Sequence, residues 1–458
     1  MKKSNVIIAI CLILVCVIGW FAVGSQVIKK NSNYSNYVKE ADEWVERGLY
    51  QRAIGNYQLA LEEKETSELY EKINNAYQLR YKEAPEETLE DYMDFLESAI
   101  AAYPGNKVLV DSFYDIFYSE SEYEDLYNCL TNAIKNGYKT EEIQSKLLIV
   151  RYAHDLRRSE FAGVKQSVGD IYSTARNNGW NIYSIEDGYM LTTEYDYVSQ
   201  VSEDGIFVVT GKDSRIMDKT GMVLGIFEKK VTDAGLYADK LLPACVDGKY
   251  NYYNDLAEEQ FGGYEMAGMF QDGLAAVKKD GKWMLINAKG ESKSQTFDEI
   301  VLDHTGRYIV NGYIIAKSGD KYGLYDEKFK LKAELDCTDV DVCTEDGVIA
   351  VCKGDKWGFV NTAGKVVIEP SFDDAKSFSN GLAAVMKDGK WGFINSDGTV
   401  VIDYAYAATG YMNENGLCPV RIILPEDKAE KKEDGKTEEI KVEEVWKFLE
   451  LELGITED

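Results

Sequence analysis

The chain contains the stretch Phe270-Gln-Asp-Gly-Leu-Ala-Ala-Val-Lys-Lys-Asp-Gly-Lys-Trp283 and repeats it almost unchanged as Phe378-Ser-Asn-Gly-Leu-Ala-Ala-Val-Met-Lys-Asp-Gly-Lys-Trp391. In both copies a short aliphatic run ends in Asp-Gly, a pair that readily adopts the positive φ angles of a tight β-hairpin turn. A third copy runs from Asp346 to Asn361 and carries Trp357 at the tryptophan position. We therefore predict that this half of the chain consists of copies of one small β-unit.

The tryptophan position recurs along the whole C-terminal half. Weaker units place other residues there, namely Trp180, Ser214, Tyr250 and Tyr322. The steps between successive positions range from 33 residues, between Tyr250 and Trp283, to 39 residues, between Trp283 and Tyr322. We predict that the aromatic ring at the tryptophan position covers the turn that precedes the strand to which it belongs. Gly358 and Gly392, which follow two of the tryptophans, are predicted to admit a neighbouring backbone or ring.

The β-units are predicted to fill residues 178–458. A last strand pair, 417–424 with 445–451, carries Trp446 in the tryptophan position. Between its strands lies a Lys/Glu-rich segment, 425–444, that we predict to be a solvated loop. This pair is predicted to complete the opening unit around Trp180.

The motif of the strong units resembles the WG repeat family. It reads Gly-Leu-Ala-x-Val, then Asp-Gly-Lys-Trp-Gly-Phe-Ile-Asn, then Asp-Gly and Val-Val-Ile. Units of this size, with three predicted strands each, cannot bury their apolar faces alone and must stack or close on one another. We predict a propeller-like disc of seven or eight units, because closure hides the sheet edges; the alternative is an open β-solenoid.

The preceding region, residues 31–177, is predicted to be an array of α-helical hairpins, because apolar residues recur there at spacings of three and four. The first hairpin, with Ala41, Trp44, Ala53, Tyr57 and Ala60 at helix-packing positions, resembles the tetratricopeptide repeat. That resemblance implies a concave peptide-binding face, with a simple spacer as the alternative. A fourth hairpin, predicted from residue 140 to 171, would cap the array.

The amino-terminal residues 1–30 are predicted to be a membrane anchor. No charged residue occurs from Ser4 to Ile28, a length that spans a bilayer, and lysines flank the run on both sides. We predict a single pass through residues 5–28, with the bulk of the chain at the cell surface, outside the cytoplasm. The alternative is a secretory signal peptide cleaved after Ala22-Val23-Gly24.

Composition excludes several classes of function. The net charge of −28, from 79 acidic and 51 basic residues, opposes binding to nucleic acid. The only histidines are His154 and His304, so we predict no metal centre, no cofactor and no Ser/His/Asp catalysis. The scattered cysteines are predicted to be small buried residues, although a Cys337–Cys343 disulfide remains open.

The candidate site residues are the aromatic residues of the repeat. Trp283, Trp357 and Trp391 could form an exposed aromatic platform for a sugar or peptide, or could serve a structural role in the repeat. Tyr250 and Tyr322 are candidates of the same two kinds. The predicted function is a membrane-anchored repeat scaffold that binds a protein or peptide and catalyses no reaction. The alternative is a carbohydrate- or cell-wall-binding module.

Overall fold

The computed structural model describes residues 29–166, 169–176, 179–191, 193–424 and 444–455. The chain divides into two compact units, one ending at Arg151 and the other beginning at Tyr152. The predicted membrane span, 5–28, lies outside the described residues, as does nearly all of the charged segment 425–444. Among the helices that are described, none combines the length and the apolar character needed to cross a bilayer.

The first unit is an array of helices, as the apolar spacing predicts. The described helices are α1 (29–46), α2 (Tyr50–Glu63), α3 (Ser67–Glu83), α4 (Pro85–Ala102), α5 (Lys107–Ser119), α6 (Tyr123–Lys135) and α7 (Glu141–Arg151). Ala41, Ala53 and Ala60 are fully buried, which lets α1 and α2 approach closely around the Tyr57 ring. The predicted first hairpin is therefore confirmed.

A buried polar network joins three helices of this unit. The Tyr92 hydroxyl of α4 donates to Asn74 Oδ1 of α3 at 2.7 Å, and Asn74 Nδ2 donates to Ser112 Oγ of α5 at 2.8 Å. All three residues are buried, so these bonds fix the register of the helices as well as satisfying the polar groups.

The predicted fourth hairpin is not formed. Helix α7 ends at Arg151, and the chain then enters strands β1 (His154–Leu156), β2 (Gly163–Lys165) and β3 (Ile171–Arg176). Apolar residues in such short strands, separated by turns, produce spacings of three and four that imitate a helix. The β-unit consequently begins earlier than the predicted residue 178.

The second unit is an eight-bladed β-propeller, so the predicted closed disc is confirmed and the open solenoid is wrong. Blade 1 contains β2, β3, β4 (Gly179–Ser184) and β5 (Gly188–Tyr189), and blade 2 contains β6 (Tyr197–Val198), β7 (Ile206–Thr210), β8 (Ser214–Asp218) and β9 (Val223–Ile226). Blade 3 contains β10 (Val231–Ala234), β11 (Leu242–Val246), β12 (Lys249–Tyr253) and β13 (Glu259–Tyr264), and blade 4 contains β14 (Met266–Ala267), β15 (Leu274–Lys279) and β16 (Lys282–Asn287).

Blades 5 to 8 follow the same order, from the innermost strand outward. Blade 5 contains β17 (Glu299–Ile300), β18 (Ile314–Ser318), β19 (Lys321–Tyr325) and β20 (Leu331–Leu335), and blade 6 contains β21 (Asp339–Val340), β22 (Val348–Lys353), β23 (Lys356–Asn361) and β24 (Val366–Phe372). Blade 7 contains β25 (Asp374–Ala375), β26 (Leu382–Lys387), β27 (Lys390–Asn395) and β28 (Val400–Tyr406), and blade 8 contains β29 (Ala408–Thr409), β30 (Leu417–Ile423), β31 (Glu444–Leu451) and β1. Most blades thus have four strands, since an inner strand of two to four residues precedes the three strands that the motif predicts.

The turns of each blade follow from the repeat motif. In blade 7, Asp388 and Gly389 both have positive φ, at 51° and 76°, so they form the predicted tight hairpin between β26 and β27. The Asn395 side chain at the end of β27 accepts the backbone N–H groups of Asp397 and Thr399, which shapes the turn into β28. This capping role explains the asparagine that ends the Trp-Gly-Phe-Ile-Asn motif.

The glycine after the tryptophan lies against backbone, as predicted. A Cβ on Gly358 would lie 2.6 Å from Pro370 N, and one on Gly392 would lie 2.7 Å from Ile402 O. In both cases the neighbouring backbone belongs to the fourth strand of the same blade. A larger residue would therefore push the outer strand away from the blade.

The ring of blades is closed by a strand from the beginning of the propeller sequence, which joins the last blade. Strand β1 is the outermost strand of blade 8 and pairs antiparallel with β31, with His154 opposite Leu451. Blade 1, around Trp180, has four strands of its own, so the prediction that the terminal pair completes it is wrong. The Cys337–Cys343 disulfide that the sequence left open is not formed, since both cysteines are free.

Candidate functional site

The inner strands of the blades end in equivalent positions whose chemistry differs. The residue after each inner strand donates its backbone N–H to the second strand of its blade in blades 2 to 8; these residues are Ser199, Gly235, Gly268, Val301, Asp341, Lys376 and Gly410. The repeat fixes the backbone at these positions but leaves the side chains free to vary. These residues, and those that follow them in the chain, contact one another across the centre of the ring of blades.

Six side chains from six blades form this meeting point, which we call the axial cluster. Its members are Gln166, Gln200, His304, Asp341, Lys376 and Tyr411. Gln200 Nε2 in blade 2 donates to the backbone oxygens of Gln166 and, at 2.7 Å, of His304 in blade 5. Blades 2 and 5 are three places apart in a ring of eight, so this contact crosses the central axis.

An insertion in blade 5 carries His304 to the axis. In blade 7, two residues, Lys376 and Ser377, lie between the inner strand and the next repeat position. In blade 5, eight residues, 301–308, lie between β17 and the equivalent position. The Asp303 carboxylate organises the insertion by accepting Thr305 N, Arg307 N and, at 2.7 Å, Arg307 Nε. Burial alone would raise the pKa of Asp303, but the Arg307 charge and the Thr305 hydroxyl outweigh it and lower that pKa.

Blade 4 accommodates the insertion by having a glycine at its inner position. The Met269 N–H donates to Gly306 O at 3.1 Å, and a Cβ on Gly268 would lie 2.5 Å from the same oxygen. The insertion is therefore packed against blade 4 as well as bonded to blade 2.

Tyr411 of blade 8 is the centre of the cluster. Its hydroxyl donates to both oxygens of Asp341, at 2.7 and 2.8 Å, and its ring stacks on His304 with centroids 5.6 Å apart. Lys376 Nζ lies 4.9 Å from the centroid of the same ring. Burial and the Asp341 carboxylate raise the pKa of Tyr411, so its phenol stays protonated and keeps this arrangement at neutral pH.

The side chain of Gln166 ties the cluster to blade 1. Gln166 Nε2 donates to Tyr411 O and Gln166 Oε1 accepts Tyr411 N, both at 2.9 Å. An amide side chain thereby makes the pair of bonds that a neighbouring strand would make. A Cβ on Gly410 would lie 2.6 Å from Gln166 Oε1 and 2.7 Å from Pro419 Cγ, so a larger residue there would displace these side chains.

Two groups of the cluster are available to a ligand. The His304 side chain is exposed, yet loss of hydration and the nearby cations Arg307 and Lys376 lower its pKa, although Asp303 opposes them; the imidazole is neutral at pH 7. Within the part of the chain that the structure describes, no hydrogen bond or ion pair engages Lys376 Nζ. The cluster thus offers an ammonium and a neutral imidazole on a rigid support.

The structure does not bring the predicted aromatic residues together. One belongs to each of blades 3 to 7, in the order Tyr250, Trp283, Tyr322, Trp357 and Trp391, and all are buried except Trp357, which is half-buried. The Tyr322 hydroxyl donates to Glu299 Oε2 at 2.6 Å, and the Tyr250 hydroxyl donates to Asp233 Oδ2. No exposed platform is formed by the five, because each ring packs inside its own blade or between blades.

Known protein families provide a match to part of the propeller. The model named WG containing repeat matches residues 263–283, 322–357, 357–391 and 391–422, which supports the predicted WG resemblance there. The fold and these repeats define the class as a propeller with WG-type repeats. Among curated proteins, none matches the chain.

Several solved structures are similar at low sequence identity. PorZ, a surface component of the type-IX secretion system of Porphyromonas gingivalis, is 12% identical with a TM-score of 0.34; the match covers 59% of this chain and 42% of PorZ. A structure described as the eukaryotic initiation factor is 13% identical with a TM-score of 0.39, covering 60% and 83%. The WD40 domain of Neurospora crassa Pan2 is 10% identical with a TM-score of 0.33, covering 57% and 90%.

Proposed function

We propose that this chain is a membrane-tethered, extracytoplasmic scaffold that binds a protein or peptide partner at the axial cluster and catalyses no reaction. The observation that carries the proposal is the convergence of six blades on that cluster, where His304 is exposed and Lys376 is half-buried. Side chains held by neighbours lose little freedom on binding, so a site of this kind is preorganised.

The chemistry of the cluster suits a peptide. The ammonium of Lys376 and the neutral imidazole of His304 match the carboxylates and backbone groups of a polypeptide. His304 stacks on Tyr411, and no serine, threonine or cysteine side chain in the described chain is hydrogen-bonded to its ring. This arrangement favours binding over nucleophilic catalysis.

A glycan-binding module has less support. Sugar recognition through the repeat aromatics requires exposed ring faces, and Trp283, Trp391, Tyr250 and Tyr322 are each at most 9% exposed. Glycan binding is therefore an alternative outcome of the test and not a second proposal.

The proposal extends to the helical unit and to the tether. We infer that the helices are tetratricopeptide-like, because small residues such as Ala41 and Ala60 lie at their contacts and polar pairs such as Lys146–Asp111 join helices α5 and α7. The charge-free run 5–28 supports the tether. Protease added to intact cells should trim an outward-facing chain to a stub near Lys30, whereas a chain facing the cytoplasm would survive.

Binding at the axial cluster is tested with the full-length protein in detergent. A random peptide library would be selected on the wild type, and the enriched peptides titrated against H304A/K376A and against K353A. Lys353 is a suitable control because it lies on a hairpin turn of blade 6 and pairs with the exposed Asp336. We expect the double variant to weaken binding at least about tenfold and the control to leave it unchanged. Equal binding by both variants, or binding of glycans but of no peptide when a glycan library is selected in parallel, would contradict the proposal.

A further inference from the structure

The outermost strand of blade 2 has an unpaired edge with exposed apolar side chains. Strand β9 ends the sheet order of its blade, so only β8 pairs with it. Ile226 is 58% exposed, and Val223 is exposed as well. The adjoining Met222 and Leu256 are also exposed, and a Cβ on Gly225 would lie 2.3 Å from Leu256 C, so a turn of blade 3 lies beside this strand. We call Met222, Val223, Ile226 and Leu256 the blade 2 edge.

The backbone of Ile226 points away from the blade. The Phe227 N–H donates to Ser214 O at 3.0 Å, and Ile226 lies opposite Arg215. In an antiparallel ladder these bonds make Ile226 and Arg215 a non-hydrogen-bonded pair, whose N–H and C=O groups point away from the other strand of the pair. The N–H and C=O of Ile226 therefore face outward, where a further strand could pair with them.

The other outermost strands carry features that block such pairing. Charged side chains and proline on an edge strand oppose the addition of a further strand, and very short strands offer few bonds. Among the described outermost strands, β13, β16, β20, β24 and β28 each contain a charged residue, β24 also contains Pro370, and β5 and β1 have only two and three residues. Strand β9, Val223-Leu-Gly-Ile226, has neither a charge nor a proline in its four residues. Its edge is therefore the one that these features leave open.

We propose that β9 pairs with β9 of a second copy of this chain, antiparallel about a two-fold axis at Ile226. Ile226 then lies opposite Ile226 of the second copy, and residues equally distant from it face one another. Counting outward, the facing pairs are Glu228 with Leu224, Lys229 with Val223 and Lys230 with Met222. No charged residue lies opposite another of like sign, and the aliphatic stems of the two lysines can cover apolar side chains. The strand thus complements itself, which is why a second copy is the proposed occupant.

The strength of this contact should depend on salt. A stable interface uses about 20–30 residues on each side, far more than the blade 2 edge supplies, so the dimer should be weak. Each copy has a net charge of −28, so two copies repel one another. Added salt screens that repulsion and should strengthen an apolar contact, whereas it would weaken a contact made by ion pairs. The dimer is independent of peptide binding at the axial cluster.

The test measures the dimer and its dependence on Ile226. Full-length protein in detergent would be followed by sedimentation velocity over a concentration series, at low and high salt, for the wild type, I226K and V400K. Val400 is a matched control because it is exposed on β28, the outermost strand of blade 7. We expect I226K to raise the dissociation constant of the dimer at least about tenfold, since it places two ammonium groups opposite one another. V400K should leave that constant unchanged.

A mixture of two variants tests whether Ile226 lies on the axis. I226K and I226E should each be largely monomeric, and an equimolar mixture should dimerise, because opposite charges then face one another. Both substitutions are at an exposed position, so urea unfolding should show stability close to that of the wild type. A monomeric wild type, equal weakening by I226K and V400K, or no recovery in the mixture would overturn the proposal. Loss of peptide binding in I226K with a monomeric wild type would overturn it too, since the edge would then belong to the peptide partner.

Discussion

Blades 7 and 8 are neighbours with the same strand order, but one is made from a single stretch of chain and the other from two. Blade 7 spans Asp374–Tyr406, whereas blade 8 combines Ala408–Leu451 with His154–Leu156. Blade 7 contains every element of the repeat motif. Blade 8 has only a weak copy and is held by contacts to blade 1 that the motif does not contain. The repeat thus encodes a blade, and other residues encode the closed ring.

The inner positions of the two blades show the same contrast. In blade 7, the Ser377 N–H is accepted by Asp341 of the preceding blade, at 2.6 Å. In blade 8, the corresponding Tyr411 N–H is accepted by Gln166 of blade 1. Blade 8 is therefore bonded to blade 1 across the junction of the ring, and three experiments test this difference; a fourth tests the axial cluster.

The largest effect is expected from Phe161→Ala compared with Phe393→Ala. Both rings are 1% exposed, so each substitution should lower the free energy of unfolding by about 3–5 kcal/mol, measured with urea. Phe161 contacts Phe448 across the junction and pairs with Trp446, so only its loss should also make residues 152–161 sensitive to limited proteolysis. Equal protease patterns in both variants would remove the distinction between the blades.

A smaller difference should separate Asn413→Ala from Asn395→Ala. Each asparagine accepts two backbone N–H groups in its turn, which predicts a loss of about 1 kcal/mol for either. Asn413 also donates to Asp170 and Tyr172 of blade 1. We therefore expect Asn413→Ala to cost about 1–2 kcal/mol more in thermal or urea unfolding, and equal losses would show that the blade 1 contacts contribute nothing.

Gln166→Ala tests the bonding of blade 8 to blade 1 directly. The two bonds to Tyr411 are half-buried, so their loss should reduce stability by about 1 kcal/mol. Gln260→Ala is the control, because Gln260 is exposed and its side chain donates only to Glu258 O among the described residues. Hydrogen exchange at the Tyr411 amide should accelerate in Gln166→Ala alone; unchanged exchange would contradict the role of Gln166.

The smallest effect concerns pH. Loss of hydration and the nearby cations Arg307 and Lys376 lower the pKa of His304 below its ordinary value of 6.5, so the unfolded chain binds the proton more tightly. Stability should therefore rise with pH through the interval between the two pKa values and fall as the pH drops below 6.5. Because the chain has two histidines, the H154Q variant leaves a single imidazole signal for an NMR titration. A midpoint at or above 6.5 would contradict this prediction.

The sequence predicted the blades well because the determinants of a blade are local. Asp388-Gly389 specifies a turn, Asn395 caps the next, and Gly392 leaves room for a strand, all within a few residues. The strand β1 was missed because its partner β31 is remote in sequence and no short pattern announces the pairing. Burial of the repeat aromatics was left open, since recurrence of Trp391 alone does not distinguish a core from a surface.

The axial cluster was missed because its members come from six loops with no shared motif. One signal was present in the sequence: the 39-residue step from Trp283 to Tyr322 exceeds every other step between Trp180 and Trp391 and contains the insertion that carries His304. An irregular interval in a regular repeat therefore indicated which blade contains the insertion that contributes to the axial cluster.

The pairing of β1 with β31 dictates an order of events during biosynthesis. Arg157, just after β1, forms an ion pair with Glu450, a residue 293 positions later. The strand β1 emerges from the ribosome before any of its partners and must wait, unpaired, until nearly the whole propeller has been translated. During that wait its free edge, and the uncovered edge of β31 that follows, are open to pairing with another nascent copy, which makes exchange of β1 between molecules the expected error of assembly.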